Sequence, residues 1–437
     1  MPTLPREAHR HANAPEESPP GDSSKAIGPQ ADGPSPNQWS KLSPASPDGR
    51  SVPIPERARQ SDGMDRARTD AILLTGATGF VGTAVLARLL ERTSRPIVAP
   101  VRAPDAHRAT QRLRASLLEV FPPERAAAYM SRCTAVPADL QQDGLGLTSG
   151  ELLRLARHCD EVIHCAAAVS FEQPLDEARA INTAGAARVA AFASAAAVRG
   201  DGLRRVVHVS TAYTAGCWSG SYCEADSPGD GGFRNTYEQT KHEAERLLRD
   251  WTPDLPLQIV RPSIVVGDRT SGWTRSFNVL YWPLRMFSQG KLPVIPAERD
   301  APVDVVPVDY VADTILALAD APPGTYHAVA GDRASTVGEI IGMASRHFDL
   351  PEPTIVSPAM LDLALDAPMT EPQRRALDRA RVFFPYFALK VRFDDRATRR
   401  LLEPRGVGTQ RLDDYFAPLM DYATRASWGR APAVAAA

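Results

Sequence analysis

Residues 71–90 read AILLTGATGFVGTAVLARLL: an apolar run, a glycine turn, then a second apolar run with a longer period. Ala71–Leu74 reads as a strand, and the Val/Ala/Leu pattern beyond Val81 as a helix. Between them Gly76, Gly79 and Gly82 are spaced three and three. Gly76 permits a tight turn off the strand end. Gly79 lets a pyrophosphate approach the backbone, and Gly82 lets the helix pack closely on the sheet. The helix N-terminus adds free N–H groups and the positive end of its dipole. Thr78, Phe80 and Val81 share this turn. A glycine triplet is also found in strand–helix turns that bind nothing, so its weight rests on the motifs downstream of it.

Outward from this turn, strands alternate with helices. Further strands are expected at Pro96–Arg102, Thr134–Leu140, Glu161–Ala167, Arg205–Ser210 and Leu257–Val266, the last broken at Pro262. Helices are expected at Ala106–Val120, at the Ala-rich Pro174–Val198 and at the charged Tyr237–Arg249. Parallel strands need crossover connections, so this alternation predicts an α/β fold, a doubly wound parallel Rossmann-type sheet. Its ligand belongs at the carboxyl ends of the strands. Beyond about residue 270 the pattern turns irregular, with helices expected at Phe277–Phe287, Tyr310–Leu318, Val337–Phe348 and Glu371–Arg381. Thr325–Ala330 reads as a strand that can rejoin the sheet. The expected division is a dinucleotide-binding domain over 70–270 and a smaller, mainly helical substrate region over 271–437. The aromatic stretch Phe383–Phe393 reads first as core packing and second as a cleft wall. Residues 1–69 are rich in Pro and Ser, as in Glu17–Ser24 (ESPPGDSS), and read as a disordered tail.

The chain has 437 residues, 43% hydrophobic and 23% charged, enough for one large domain or two modest ones. A net charge of −2 supplies no field for nucleic acid or an anionic membrane. The cysteines Cys133, Cys159, Cys165, Cys217 and Cys223 form no CxxC pair and have no His cluster beside them. That argues against a zinc site, and the odd number fits a reducing, cytoplasmic setting. A run of about eighteen uninterrupted apolar residues is missing, so no transmembrane segment is expected.

The chemistry concentrates in three places. Tyr237 and Lys241 stand four apart, on one helix face. An ammonium beside a phenol lowers the phenol's pKa toward working pH. Such a Tyr can protonate a carbonyl oxygen as hydride reaches the carbon, while the Lys also holds the nicotinamide ribose. Upstream, Val207–Tyr213 (VHVSTAY) brings a hydroxyl, Thr211 or Ser210, to a strand's carboxyl edge. In Ile163–Ala168 (IHCAAA) the small residues, Ala166 and Ala167 among them, leave room for a cofactor, and His164 reads as a core histidine. At the end of the second strand an acid would grip ribose hydroxyls and repel a 2′-phosphate. Here stands Arg102, followed by Arg108 and Arg112, and a guanidinium suits that phosphate. NADP(H) is the expected cofactor.

Glycine turn, Ala-rich strand end, Ser-Thr and Tyr-x-x-x-Lys, in this order, resemble the short-chain dehydrogenase/reductase superfamily in its extended branch. The phrases His164–Phe171 (HCAAAVSF), Ile181–Gly185 (INTAG), His208–Gly216 (HVSTAYTAG), Arg261–Asp268 (RPSIVVGD) and Val303–Ala312 (VDVVPVDYVA) narrow it. Together they resemble the fatty acyl-CoA reductase and carboxyl thioester reductase family of the male-sterility type, over roughly residues 71–330. The resemblance implies NADPH-dependent reduction of acyl thioesters, on coenzyme A or an acyl carrier protein, to aldehyde or alcohol. It implies Thr211, Tyr237 and Lys241 as the catalytic set. It also implies cofactor contacts from Asp139, at the adenine ring, with Leu140, Pro262 and Ser263. About the last hundred residues match the family faintly. The rivals are a dehydrogenase or epimerase acting on a sterol-like alcohol or nucleotide sugar, and a protein that binds NADPH without turnover.

Overall fold

Residues 70–429 are described by the computed structural model, apart from 201, 228–230, 253, 278, 359–369, 372–373 and 376–381. The tail expected over 1–69 and most of the helix expected over 371–381 lie outside the described residues. The main strands are β1 (Ala71–Thr75), β2 (Ile97–Val101), β3 (Cys133–Pro137), β4 (Cys159–His164), β5 (Arg205–Val209), β6 (Leu257–Pro262) and β7 (Gly324–Ala328). They form one seven-stranded sheet in the order β7-β6-β5-β4-β1-β2-β3. Every pairing is parallel. The order reverses between β1 and β4, which opens the ligand crevice of a doubly wound sheet above their carboxyl ends.

The helices around the sheet and beyond it are α1 (Phe80–Arg92), α2 (Ala106–Leu118), α3 (Pro123–Met130), α4 (Ser149–His158), α5 (Leu175–Arg199), α6 (Thr236–Trp251), α7 (Tyr281–Ser288), α8 (Val308–Ala317), α9 (Val337–Phe348), α10 (Arg396–Leu402) and α11 (Phe416–Arg425). Alternate residues of β1 feed opposite cores. Ile72 and Leu74 pack with Val85 and Leu89 of α1 and Val311 and Ile315 of α8. Ala71 and Leu73 pack with Leu155 of α4, Val189 and Phe192 of α5 and Leu248 of α6. A strand covered on both faces needs no polar side, which is why β1 is a continuous apolar run. Each fully buried Leu there stabilises the fold by about 1.5–3 kcal/mol.

Helix α5 is long and apolar enough to cross a bilayer by length and composition, although the absence of an uninterrupted apolar run predicts no such segment. Its small residues instead let it nest in the protein: Ala186, Ala187, Ala190, Ala193 and Ala196 are buried. Helices α3 and α4 add to the expected set. The second carries a readable start, since Thr148 and Glu151 cap each other. Helix α9 is as expected, opened by the same reciprocal cap from Thr336 and Glu339.

The third core is aromatic. It gathers Tyr213, Tyr222, Tyr281, Phe287, Tyr386, Phe387 and Phe393. Short strand pairs frame it: Ile264–Val266 with Val305–Pro307, Gly220–Tyr222 with Val391–Phe393, and Val294–Pro296 with Thr354–Val356. Segments before residue 270 thus contribute to this core, while β7 and α8 from beyond it complete the Rossmann layer. The two regions interleave along the chain. The strand expected at Thr325–Ala330 is β7, paired with β6 at the sheet edge.

Candidate active site

The glycine turn is built as its spacing demands. Gly76 has φ +72°, and a Cβ on it would lie 2.6 Å from the Ala166 nitrogen. A Cβ on Gly82 would lie 2.0 Å from the Gly76 oxygen. Gly79 is exposed, and a Cβ there would meet that same oxygen at 3.2 Å. Gly79 N donates to it at 2.7 Å, closing the turn. Helix α1 then starts with no side-chain cap and no acid in its first turn. Free N–H groups at an approachable, positively biased helix end fit a dinucleotide's pyrophosphate. Thr78, Phe80 and Val81 line this edge, Phe80 and Val81 half-buried. A loop from the far region covers it: Trp273 packs on Phe80 at 5.5 Å between centroids, and Arg275 donates to the Thr78 carbonyl while pairing with Glu119 at 2.7 Å. No motif signals Arg275.

Arg102 is exposed one residue beyond β2. Arg108 turns to Gln111 (3.0 Å), and Arg112 donates to the Arg102 carbonyl, so Arg112 buttresses the strand end. Past β3, Asp139 accepts from Gln141 N at 2.9 Å. The Leu140 carbonyl accepts from Arg188 at 3.3 Å, and its side chain lies against Gly185. Ala166 and Ala167 are half-buried beyond β4. The backbone just past them is held by Asn182 on α5, which accepts from Ala168 N at 2.8 Å and donates to Ala168 O at 3.0 Å and to Thr240 at 3.0 Å. Asn182 belongs to the INTAG phrase, which gives it no role; a lone Asn inside an Ala-rich helix is its sequence signal. Pro262 and Ser263 are buried at the end of β6. The Ser263 hydroxyl turns to Asp304, whose carboxyl burial pushes up to about 6.

Two of the three expected catalytic side chains, Thr211 and Tyr237, come together, and Lys241 lies one helical turn on. Thr211 leaves β5 as a turn cap, accepting from Tyr213 N at 3.2 Å and donating to the Pro262 carbonyl at 3.4 Å. Its hydroxyl lies close enough to the Tyr237 phenol to oppose the upward push of burial on the phenol's pKa. Ser210 instead faces Glu245 in the interior, which favours Thr211 for the hydroxyl role. Asn235 caps α6 by accepting from Glu238 N at 3.0 Å, which sets Tyr237 in the helix's first turn and Lys241 one turn later. Lys241 is fully buried and donates to the Val209 carbonyl at 2.7 Å.

The charge states correct one expectation. Lys241 does not lower the Tyr237 pKa: burial pushes that phenol up to about 12, with the Thr211 hydroxyl opposing. Burial also pushes Lys241 down to about 8, against the favourable pull of Glu245. The ammonium is spent on Val209 and His208 rather than on the phenol. Tyr237 therefore holds its proton and is set to donate it.

The aromatic stretch reaches this site. Phe171 lies 6.0 Å from Tyr237 and stacks on Tyr386 at 5.3 Å. The Tyr386 hydroxyl donates to Glu238 at 2.5 Å and accepts from Asn235 at 2.7 Å. Arg234 pairs with Glu238 at 3.0 Å. The far region is thus pinned to the first turn of α6, and Phe383–Phe393 is both core and wall.

The chain is 34% identical over 258 residues to an isonitrile lipopeptide synthase of Streptomyces coeruleorubidus, covering 58% of this chain and 17% of that protein. It is 26% identical over 347 residues to fatty acyl-CoA reductase 1 of Arabidopsis thaliana, covering 63% of this chain and 70% of that one. Among solved structures, the terminal R domain from the myxalamid PKS-NRPS pathway superposes with a TM-score of 0.71 at 23% identity, over 83% of this chain and 92% of that one. A UDP-glucuronic acid 4-epimerase from Bacillus cereus, in complex with NAD, gives 0.57 at 17%, over 81% and 99%. At such identities these structures establish the fold. A family model described as male sterility protein, of the NAD-binding type, matches residues 74–315, more than half of the chain. This chain belongs to that family.

Proposed function

We propose that the protein reduces acyl thioesters, carried on coenzyme A or an acyl carrier protein, with NADPH. The observation that carries this reading is the meeting of Thr211 and Tyr237 at the carboxyl edge of the sheet that carries the glycine turn, one helical turn from Lys241. The bound dinucleotide supplies hydride. As it reaches the thioester carbon, charge develops on the carbonyl oxygen. Thr211 orients that oxygen and Tyr237 gives it a proton. Loss of the thiol leaves an aldehyde, and a second round gives an alcohol. The names of the relatives, a fatty acyl-CoA reductase and a lipopeptide synthase, support an acyl substrate. The test is NADPH oxidation with acyl-CoAs of graded length and with a carrier-bound thioester, beside chromatographic detection of epimerised product from UDP-sugars. Turnover of UDP-sugars alone would replace this reading with the epimerase one.

A small apolar pocket supports an apolar tail on the substrate. Leu284 and Phe287 of α7, Ile340, Ile341 and Ala344 of α9, and Phe387 line it. Phe387, the residue after Tyr386, belongs both to this pocket and to the aromatic core. Ala344→Phe is expected to fill it and lower kcat/KM for long acyl chains by about tenfold, on the scale of one or two methylenes of lost burial, with the shortest chains unaffected. An unchanged chain-length profile would place the tail elsewhere.

Arg102 is proposed as the 2′-phosphate ligand. Removing one charge-assisted bond costs about 1.5–3 kcal/mol, so Arg102→Ala should raise the KM for NADPH by roughly 10- to 100-fold and leave NADH unaffected. Equal changes with both cofactors would remove Arg102 from that role.

A further inference from the structure

Three polar side chains stand in one row beneath Lys241. In the sheet register Thr75 of β1 is opposite His164 of β4, and His164 is opposite His208 of β5. All three lie on the face covered by α5 and α6, and all are buried. The Thr75 hydroxyl is 2.7 Å from His164 Nδ1, the two imidazole centroids are 5.2 Å apart, and His208 Nε2 is 3.3 Å from Lys241 Nζ. We infer that His208 is a positioning residue for Lys241, a neutral acceptor that aims the ammonium. The role given to Lys241 rests on the proposed reductase reading.

The protons order themselves. An ammonium only donates, so His208 Nε2 accepts and its proton sits on Nδ1. His208 Nδ1 and His164 Nε2 are buried without a protein partner among the described residues. His164 Nδ1 shares a hydrogen bond with the Thr75 hydroxyl, at the residue that precedes Gly76 of the glycine turn. Burial and the nearby Lys241 keep both rings neutral, His164 down to about 3 and His208 well below its ordinary value. A protonated His208 would lose the acceptor and repel the ammonium. The other groups facing this pair are few. Glu245, one turn on along α6, favours the ammonium, and Cys165 beyond β4 has its thiol pushed up to about 12 by burial. Arg249 opposes charge on His208.

Taking an acceptor from a buried ammonium lowers its pKa further, so activity that needs the ammonium is lost at lower pH. In His208→Leu, kcat/KM for NADPH should fall about 10- to 100-fold, mostly through KM, and its basic limb should move to lower pH. His208→Gln keeps an acceptor oxygen and should retain kcat/KM for NADPH within about fivefold, with the parent's basic limb. No loss in either variant, or equal losses in both at the parent's melting temperature, would overturn the inference. Nitrogen NMR of the intact, histidine-labelled protein tests it without any substitution. A His208 protonated on Nδ1 is expected, and one protonated on Nε2 would overturn it. If the unsubstituted protein oxidises no NADPH with any acyl thioester, the reductase reading fails while the NMR result still judges His208.

Discussion

Tyr237→Phe is expected to lower thioester-dependent NADPH oxidation by about 10²–10⁴-fold, the range of a lost general acid. The substitution keeps the ring. Its contact with Phe171 at 6.0 Å persists, and so does the first turn of α6, which Asn235 caps and Tyr386 braces through Glu238. Folding should therefore be preserved, and NADPH titration should give the parent's affinity, because the glycine turn and Lys241 are untouched. What goes is the one hydroxyl that meets Thr211 and still carries its proton at neutral pH, since burial holds the phenol at about 12. Steady-state kinetics beside fluorescence titration of NADPH checks this. Parental turnover would remove Tyr237 from the chemistry, and lost affinity would make it a binding residue.

Gly82→Ala should be the most disruptive single-atom addition in the turn. The new Cβ would lie 2.0 Å from the Gly76 oxygen and 2.6 Å from its carbonyl carbon. Gly76 cannot retreat, because it is already pressed against Ala166 and Cys165 at the tip of β4. The first turn of α1 must shift away from the sheet, breaking its packing by Leu86 and Leu89. Overpacking of this kind costs about 1–3 kcal/mol, which lowers the melting temperature by several degrees, and the displaced N–H groups should weaken NADPH binding more than tenfold. Gly150→Ala, at a helical position with open space around it, is the control: it should leave NADPH affinity unchanged and hold or raise the melting temperature, Ala being the better helix former. Parental affinity in Gly82→Ala would mean that the dinucleotide does not sit on this turn.

Much of the site was legible because each part is local. A glycine turn announces itself over a few residues, and Tyr-x-x-x-Lys lies within one helical turn. Thr211 and Tyr237 are separated in sequence, yet a strand tip and the helix after it both meet the carboxyl edge of a parallel sheet. That topological rule brings them together before any coordinate is known. Even the helix at Val337–Phe348 was readable, from its apolar stripe. Arg275 and Tyr386 were not legible. Each reaches the site across a long loop of chain, Tyr386 lying 148 residues from Glu238, and no period or motif records such a meeting.

The sequence by itself determined the alternation of strand and helix, the seat that fits a pyrophosphate, and Tyr237, Lys241 and a hydroxyl from Ser210 or Thr211 as the candidate catalytic side chains. Those come from short-range geometry: the missing Cβ of a glycine, the period of a helix, the crossover that parallel strands require. Only the tertiary structure decided their charge states and their company. Whether an ammonium lowers a phenol's pKa depends on where its protons point. Here they point to the Val209 carbonyl and His208, because strand register and burial left those acceptors within reach.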